Sequence, residues 1–276
     1  MRFSHTKIIF ILAILLATNG ANAHQTSIKA APVKPAPIKP TAIKPTAINK
    51  NYQLTINQIA DNVFQHISYK EIENYGMVPS NGLIVTKATN AYIIDTPWTE
   101  ADTKKLLAWI EKQGLTAISS ISTHFHDDRA GGIPYLNSAS IDTYASKLTN
   151  ELLISKNKQA AKYNLLSSKS KFDTEGTIEV FYPGAGHSRD NIVIWLPEHE
   201  LLFGGCFVKS LNSKTLGYTG DADITQWPTS MQKLINKYPT AKQVIPGHGK
   251  TGDNKLLTHT QKLALKVSAI TKREKQ

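Results

Sequence analysis

The sequence predicts an α/β protein in which two mixed β-sheets pack face to face with helices outside. Three observations lead there. Beyond residue 51, short apolar runs alternate with amphipathic helical stretches. The strand-then-helix order occurs twice across about 225 residues, enough for one such sandwich. No short-period repeat interrupts it.

Residues 54–59, 63–69, 82–86, 92–94, 117–123, 177–182, 192–196, 201–203 and 243–246 read as strands, being short apolar runs bounded by turn residues. Helices are predicted over 99–113, 146–155, 226–238 and 254–271. In the third, Trp227, Met231, Leu234, Ile235 and Tyr238 recur at helical spacing. Thr225 is placed as its N-cap and Pro228 in its first turn, where a missing N–H costs little. Those apolar side chains are core residues, not cofactor contacts.

Composition narrows the classes of function. At 41% hydrophobic and 19% charged, the chain is not disordered as a whole, and a single cysteine excludes an intramolecular disulfide framework. Residues 1–23 have the form of a secretory signal: Arg2 and Lys7, an apolar stretch from Ile8 to Ala17, and the small-residue site Ala21-Asn22-Ala23. That stretch is too short to span a bilayer, so the mature chain is expected in the periplasm without a stable membrane anchor. Of the net charge of +11, two units lie in residues 1–23 and five in residues 24–50, at Lys29, Lys34, Lys39, Lys44 and Lys50, with no acid in either segment. The remaining 51–276 is only mildly basic, which argues against a nucleic-acid partner. Residues 24–50 cycle through Lys-Pro units without an aromatic residue, a composition that favours an extended, disordered tail. The domains read as signal 1–23, tail 24–50 and catalytic domain 51–276.

The chemistry concentrates in Thr123-His124-Phe125-His126-Asp127-Asp128-Arg129, directly after the strand at 117–123. Two histidines at i and i+2 point to one side of an extended backbone, so both imidazoles can reach one metal. Asp128 adds a carboxylate. His187 in Gly186-His187-Ser188, Cys206 in Gly204-Gly205-Cys206 and His248 in Gly247-His248-Gly249 each follow a predicted strand, where loops present function on a rigid scaffold. Six candidate ligands exceed the four of a closed structural zinc site and fit two metals with open positions. Carboxylate, thiolate and imidazole together select zinc over magnesium or calcium.

With these motifs the chain resembles the class B metallo-β-lactamases from about Tyr52 to Leu265. Within them it is most similar to the subclass with His-His-His and Asp-Cys-His zinc sites, the B1 or imipenemase-like carbapenemases. The resemblance implies an αββα sandwich, the metallo-β-lactamase fold, with two zinc ions at one edge. His124, His126 and His187 would hold the first; Asp128, Cys206 and His248 would hold the second. It implies hydrolysis of penicillins, cephalosporins and carbapenems by a metal-bound hydroxide, without a covalent intermediate, and antibiotic resistance as the outcome. Asp128 would orient the nucleophile as well as bind metal.

By the same resemblance Lys209 would pair with the substrate carboxylate. Residues 73–80, with Tyr75, Met77 and Val78, would form a mobile apolar loop over the substrate, and Tyr218 stands where many relatives have an asparagine that assists the carbonyl. Asp95 would lie buried below the site and Arg129 beneath the thiolate, neither as a ligand. The wider superfamily usually has a histidine after the aspartate and an aspartate as bridging ligand; Arg129 and Cys206 stand at those places here. A thioesterase or lactonase of that superfamily is the enzymatic alternative, and a non-catalytic zinc-binding protein the other. A cysteine nucleophile is disfavoured, because no protease-like context surrounds Cys206. His66, His199 and His259 read as structural or surface residues, and Asn191 as a turn residue. A monomer acting on a small-molecule β-lactam is expected.

Overall fold

The structure is a computed structural model and describes residues 52–165 and 177–273. The signal and tail read at residues 1–50 lie outside the described residues. The first sheet runs in chain order through β1 (Thr55–Ala60), β2 (Val63–Ile72), β3 (Gly76–Lys87), β4 (Asn90–Ile94), β5 (Thr116–Ser122), β6 (Asp142–Ala145) and β7 (Tyr163–Asn164). Its first four strands pair antiparallel, and β4 to β7 pair parallel. The second sheet has the order β11 (Gln243–Pro246), β10 (Leu201–Gly205), β9 (Val193–Leu196), β8 (Glu179–Phe181), with only β10 and β11 parallel. Both sheets are mixed, as the sequence predicts.

Alternation along single strands builds the layers, because successive side chains face opposite ways. Val63, Leu83, Val85, Ile94 and Ile121 of the first sheet meet Ile194, Leu196, Leu201, Phe203 and Ile245 of the second in the central core. Their neighbours Phe64, Ile84 and Ile93 turn outward onto Leu106 and Ile110 of α1 (Glu100–Lys112). On the far side Val193, Trp195, Leu202 and Val244 turn outward beneath α5 (Trp227–Lys237) and α6 (Lys255–Arg273). Burial on both faces explains why these strands read as continuous apolar runs rather than alternating ones. Each such side chain contributes about 1.5–3 kcal/mol.

The helices begin where local chemistry starts them. Thr99 accepts the Asp102 N–H at the head of α1, and Ser146 accepts the Thr149 N–H at the head of α4 (Lys147–Ser155). At α5 the expected cap is corrected: Thr225 turns its hydroxyl to Asp223, and Asp223 Oδ1 accepts the Gln226 N–H at 2.9 Å. Two short helices, α2 (Asp127–Ala130) and α3 (Ile133–Ser138), and strands β6 and β7 have no counterpart in the sequence reading. The apolar loop expected at 73–80 is a hairpin instead. β3 starts at Gly76 and pairs with β2 from Ile72↔Gly76 onward, leaving Glu73 to Tyr75 as its tip. Among the described residues no helix is long and apolar enough to cross a membrane.

His66 is structural, as expected: it is buried in β2, with Nε2 3.0 Å from the Asp95 carbonyl. Burial lowers its imidazole from 6.5 to about 4. Between those values the unfolded chain takes up a proton that the folded chain refuses, so stability present above pH 6.5 is lost as pH falls. Urea unfolding at pH 7 and pH 4 should show an acid loss about 3 kcal/mol larger for the wild type than for His66→Gln. Equal losses would show that another group carries the acid sensitivity.

Candidate metal centre

The site lies at one edge of the sandwich, where loops following β5, β8, β10 and β11 meet. After β5 the chain alternates sides. Phe125 drops into a core cluster with Ile133, Ala145 and Leu153, while His124 and His126 face the site. His124 Nε2 stands 3.0 Å from His126 Nδ1, and His126 Nδ1 stands 3.2 Å from His187 Nε2. Beside this trio, Asp128 Oδ2, Cys206 Sγ and His248 Nε2 form a second triangle with all three separations at 3.1 Å. The structure brings together all six residues proposed from the sequence.

The donor set fits metal. Tetrahedral zinc, with nitrogen ligands at about 2.0–2.1 Å, holds those nitrogens roughly 3.3 Å apart. Three imidazole nitrogens at the observed spacing, lone pairs converging, repel one another unless a cation sits among them. Tautomers support this arrangement. His126 Nε2 lies 3.0 Å from Asp221 Oδ2 and His248 Nδ1 lies 2.6 Å from the Pro79 carbonyl, so each ring donates outward and keeps its inner nitrogen free. Burial first, and neighbouring positive charge next, hold His124 and His187 well below the ordinary histidine range, which keeps them neutral. Burial pulls Asp128 upward, but Arg129 and His248 outweigh it and hold the carboxyl well below its usual range. At His248 burial acts to lower the pKa, yet Cys206 and Asp128 lift it to about 9, so a metal arriving there displaces a proton.

Arg129 forms the floor. Its side chain is fully buried, donating Nη2 to Cys206 Sγ at 3.1 Å, Asp128 Oδ2 at 2.9 Å and the Gly247 carbonyl at 2.8 Å. Nη1 reaches Asp95 Oδ2 at 3.2 Å and the Asn81 carbonyl. Asp95 in turn accepts the Thr123 N–H at 2.6 Å and hydroxyl at 2.8 Å, which steadies the backbone next to His124. Gly247 is required by contact: a Cβ there would fall 2.5 Å from Cys206 N and 2.7 Å from its Sγ.

Above the ligands opens a cavity of about 490 Å³. Tyr75, Val78, Lys209 and Tyr218 line it. Met77 does not; it pairs with Glu71 on the opposite face of the hairpin from Lys70 and Val78. Lys209 is 9% exposed, its Nζ 5.4 Å from the Trp227 ring centroid, and burial lowers its ammonium pKa. Asn191 is a turn residue, accepting from Ser188 N and donating to the Gly184 carbonyl. His259 bonds the Ser213 carbonyl, away from the ligands. Sequence reasoning missed Trp98, whose Nε1 donates to Val78, and the pair Lys70 and Lys158, which clasp Asp127 at the cavity mouth. It also missed Asp221, 95 positions beyond the histidine it orients, for which no spacing signal exists.

The family model of the metallo-β-lactamase superfamily matches residues 75–248. A type 2 metallo-β-lactamase of Pseudomonas aeruginosa is 47% identical over 77% of this chain and 85% of its own length. One from Bacteroides fragilis is 36% identical over 76% of this chain and 85% of its own. Among solved structures, VMB-1 is 54% identical with a TM-score of 0.77, covering 79% of this chain and 99% of its own. The metallo-β-lactamase DIM-1, in a crystal structure of the protein exposed to ceftazidime, is 50% identical with a TM-score of 0.77, covering 78% of this chain and 98% of its own. Sequence, fold and site geometry agree: the chain belongs to the metallo-β-lactamase superfamily.

Proposed function

We propose that the chain is a zinc-dependent β-lactamase that opens the amide bond of penicillins, cephalosporins and carbapenems, with two zinc ions per chain. The observation that carries this is the pair of ligand triangles lying side by side under a cavity with a buried lysine. Zinc, when bound, supplies the Lewis acidity that polarises an amide carbonyl and makes water a nucleophile near pH 7.

The chain's residues supply the rest. His124, His126 and His187 hold the first ion as neutral imidazoles. Asp128, Cys206 and His248 hold the second, with Arg129 offsetting the charge of carboxylate and thiolate. Asp128 commits Oδ2 to Arg129, Cys206 and His248. Its Oδ1 takes no part in those contacts and can orient an attacking water by accepting its proton bond. Lys209 binds the substrate carboxylate from a partly desolvated position, which strengthens the ion pair relative to one in open water. The hairpin tip with Tyr75, together with Val78 and the Tyr218 ring, walls the substrate and excludes water. No residue is needed as a covalent nucleophile, since the lone thiol lies within the second triangle.

The same reading treats residues 1–23 as a signal for export and residues 24–50 as a spacer, so that the enzyme works in the periplasm as a monomer and confers β-lactam resistance.

Hydrolysis of nitrocefin by the purified protein should be abolished by dialysis against a chelator and restored by zinc, with two equivalents regained per chain. Full turnover by metal-free protein would refute the reading, and zinc binding without any turnover would favour a binding protein. Lys209→Glu should raise KM for a carbapenem on the order of 10- to 100-fold, as expected for loss of a charged hydrogen bond, while zinc content stays unchanged. An unaltered KM would remove Lys209 from substrate binding.

A further inference from the structure

Tyr218 lines the cavity but turns its polar end away from the six candidate ligands. Its hydroxyl donates to Asp221 Oδ2 at 3.2 Å, the same oxygen that stands 3.0 Å from His126 Nε2. Its ring sits edge-on to the His126 imidazole, centroids 5.7 Å apart at 71°. The phenol thus contacts both members of the carboxylate–imidazole pair, although the tyrosine itself is 50% exposed. Gly220 makes this fold-back possible. A Cβ on Gly220 would lie 2.4 Å from the Tyr218 hydroxyl oxygen, so any larger residue there displaces the hydroxyl.

We infer that Tyr218 is a positioning residue of the three-histidine site: its hydroxyl pins the Asp221 carboxylate, and the pinned carboxylate holds His126 in the orientation that binds metal. This assigns the hydroxyl a role other than the carbonyl contact expected of this position. The physical need is local. Among the described residues His124 and His187 have no hydrogen-bond partner at their outer Nδ1 atoms, so the bond to Asp221 is the outer hydrogen bond that orients a ring of this trio. Asp221 is itself partly exposed, its side chain at 29%, and a carboxylate at the surface rotates freely unless a second donor fixes it. Tyr218 is that donor.

The inference rests on the reading that the trio binds zinc, and the test separates the two. Metal affinity is measured by chelator competition on the full-length protein loaded with Zn²⁺, and site occupancy is followed with Co²⁺, whose Cys206 charge-transfer band reports the second site alone. The variants are Tyr218→Phe, Gly220→Ala, Asp221→Asn and the double variant Tyr218→Phe/Asp221→Asn. Asp221→Asn should weaken the first site by about 10- to 100-fold. Tyr218→Phe, which keeps the ring and removes only the hydroxyl, and Gly220→Ala, which keeps the hydroxyl and moves it, should each weaken the same site severalfold. Neither should change the Cys206 band. In the Asp221→Asn background the effect of Tyr218→Phe should vanish, because the acceptor is gone. First-site affinity in Tyr218→Phe equal to or above that of the wild type overturns the inference, as does a loss that persists undiminished without Asp221. A raised KM at unchanged affinity also overturns it and returns the hydroxyl to the substrate. Wild-type protein that takes up no metal at the histidines defeats the metal reading itself, whatever the variants do.

Discussion

The arrangement depends on one buried cation. The Arg129 side chain has no exposure to solvent, and an unpaired guanidinium in that position would cost several kcal/mol, a large share of the net stability of a domain. It is tolerated because Asp95, Asp128, the Cys206 sulfur and two backbone carbonyls surround it. Those partners come from both sheets. Asn81 and Asp95 belong to β3 and the end of β4, whereas Cys206 and Gly247 follow β10 and β11. The guanidinium therefore fixes how the ligand-bearing ends of the two sheets meet, which the interleaved aliphatic core, being non-directional, leaves adjustable.

The same cation sets the chemistry of the second triangle. Asp128 and Cys206 place carboxylate oxygen and sulfur 3.1 Å apart. Arg129 bonds both from below, which leaves their remaining lone pairs directed upward and together with His248 toward a common point. A floor histidine, as the superfamily usually has, could be neutral and could give up its second nitrogen as a ligand; an arginine does neither, since it stays charged and carries only donors. An arginine at position 129 thus supports the second triangle from below without adding a donor atom to it, which leaves Asp128, Cys206 and His248 as its candidate metal-binding groups.

The candidate ligands were legible in the sequence because rare metal-binding residue types follow predicted strands, His124, His126 and Asp128 in one short motif and His187, Cys206 and His248 each beside a glycine. The sandwich was legible because strands such as β9 and β10, buried on both faces, are apolar throughout. What escaped notice had no one-dimensional pattern. Strands β6 and β7 are short and carry Asp142, Thr143 and Asn164, and α2 starts inside the ligand motif itself, where Asp127 and Asp128 read as loop. Met77 was assigned to the cavity because it neighbours Val78, and the register of the hairpin, which puts alternate residues on opposite faces, reversed that. The Thr225 cap failed because Asp223, a stronger acceptor two residues earlier, took the Gln226 N–H. Asp221 is a single acidic residue in a polar stretch, and only the folded chain brings it to His126.

The two triangles are therefore held in different ways. Every member of the second is tied from behind, Asp128 and Cys206 by Arg129 and His248 by the Pro79 carbonyl, and those ties reach into the core. Among the described residues the first has one outer hydrogen bond, from His126 to Asp221, and it lies at the solvent edge, where hydrogen bonds are individually weak. His124 and His187 are kept in place by burial and by the backbone that Asp95 and Asn191 steady, not by bonds to their rings. Packing fixes where a ring lies more firmly than it fixes the direction of a nitrogen lone pair, which hydrogen bonds determine. Orientation of the three-histidine cluster consequently falls on its most exposed member, and under the proposed reading substitutions in the 218–221 loop would change metal affinity without touching a candidate ligand.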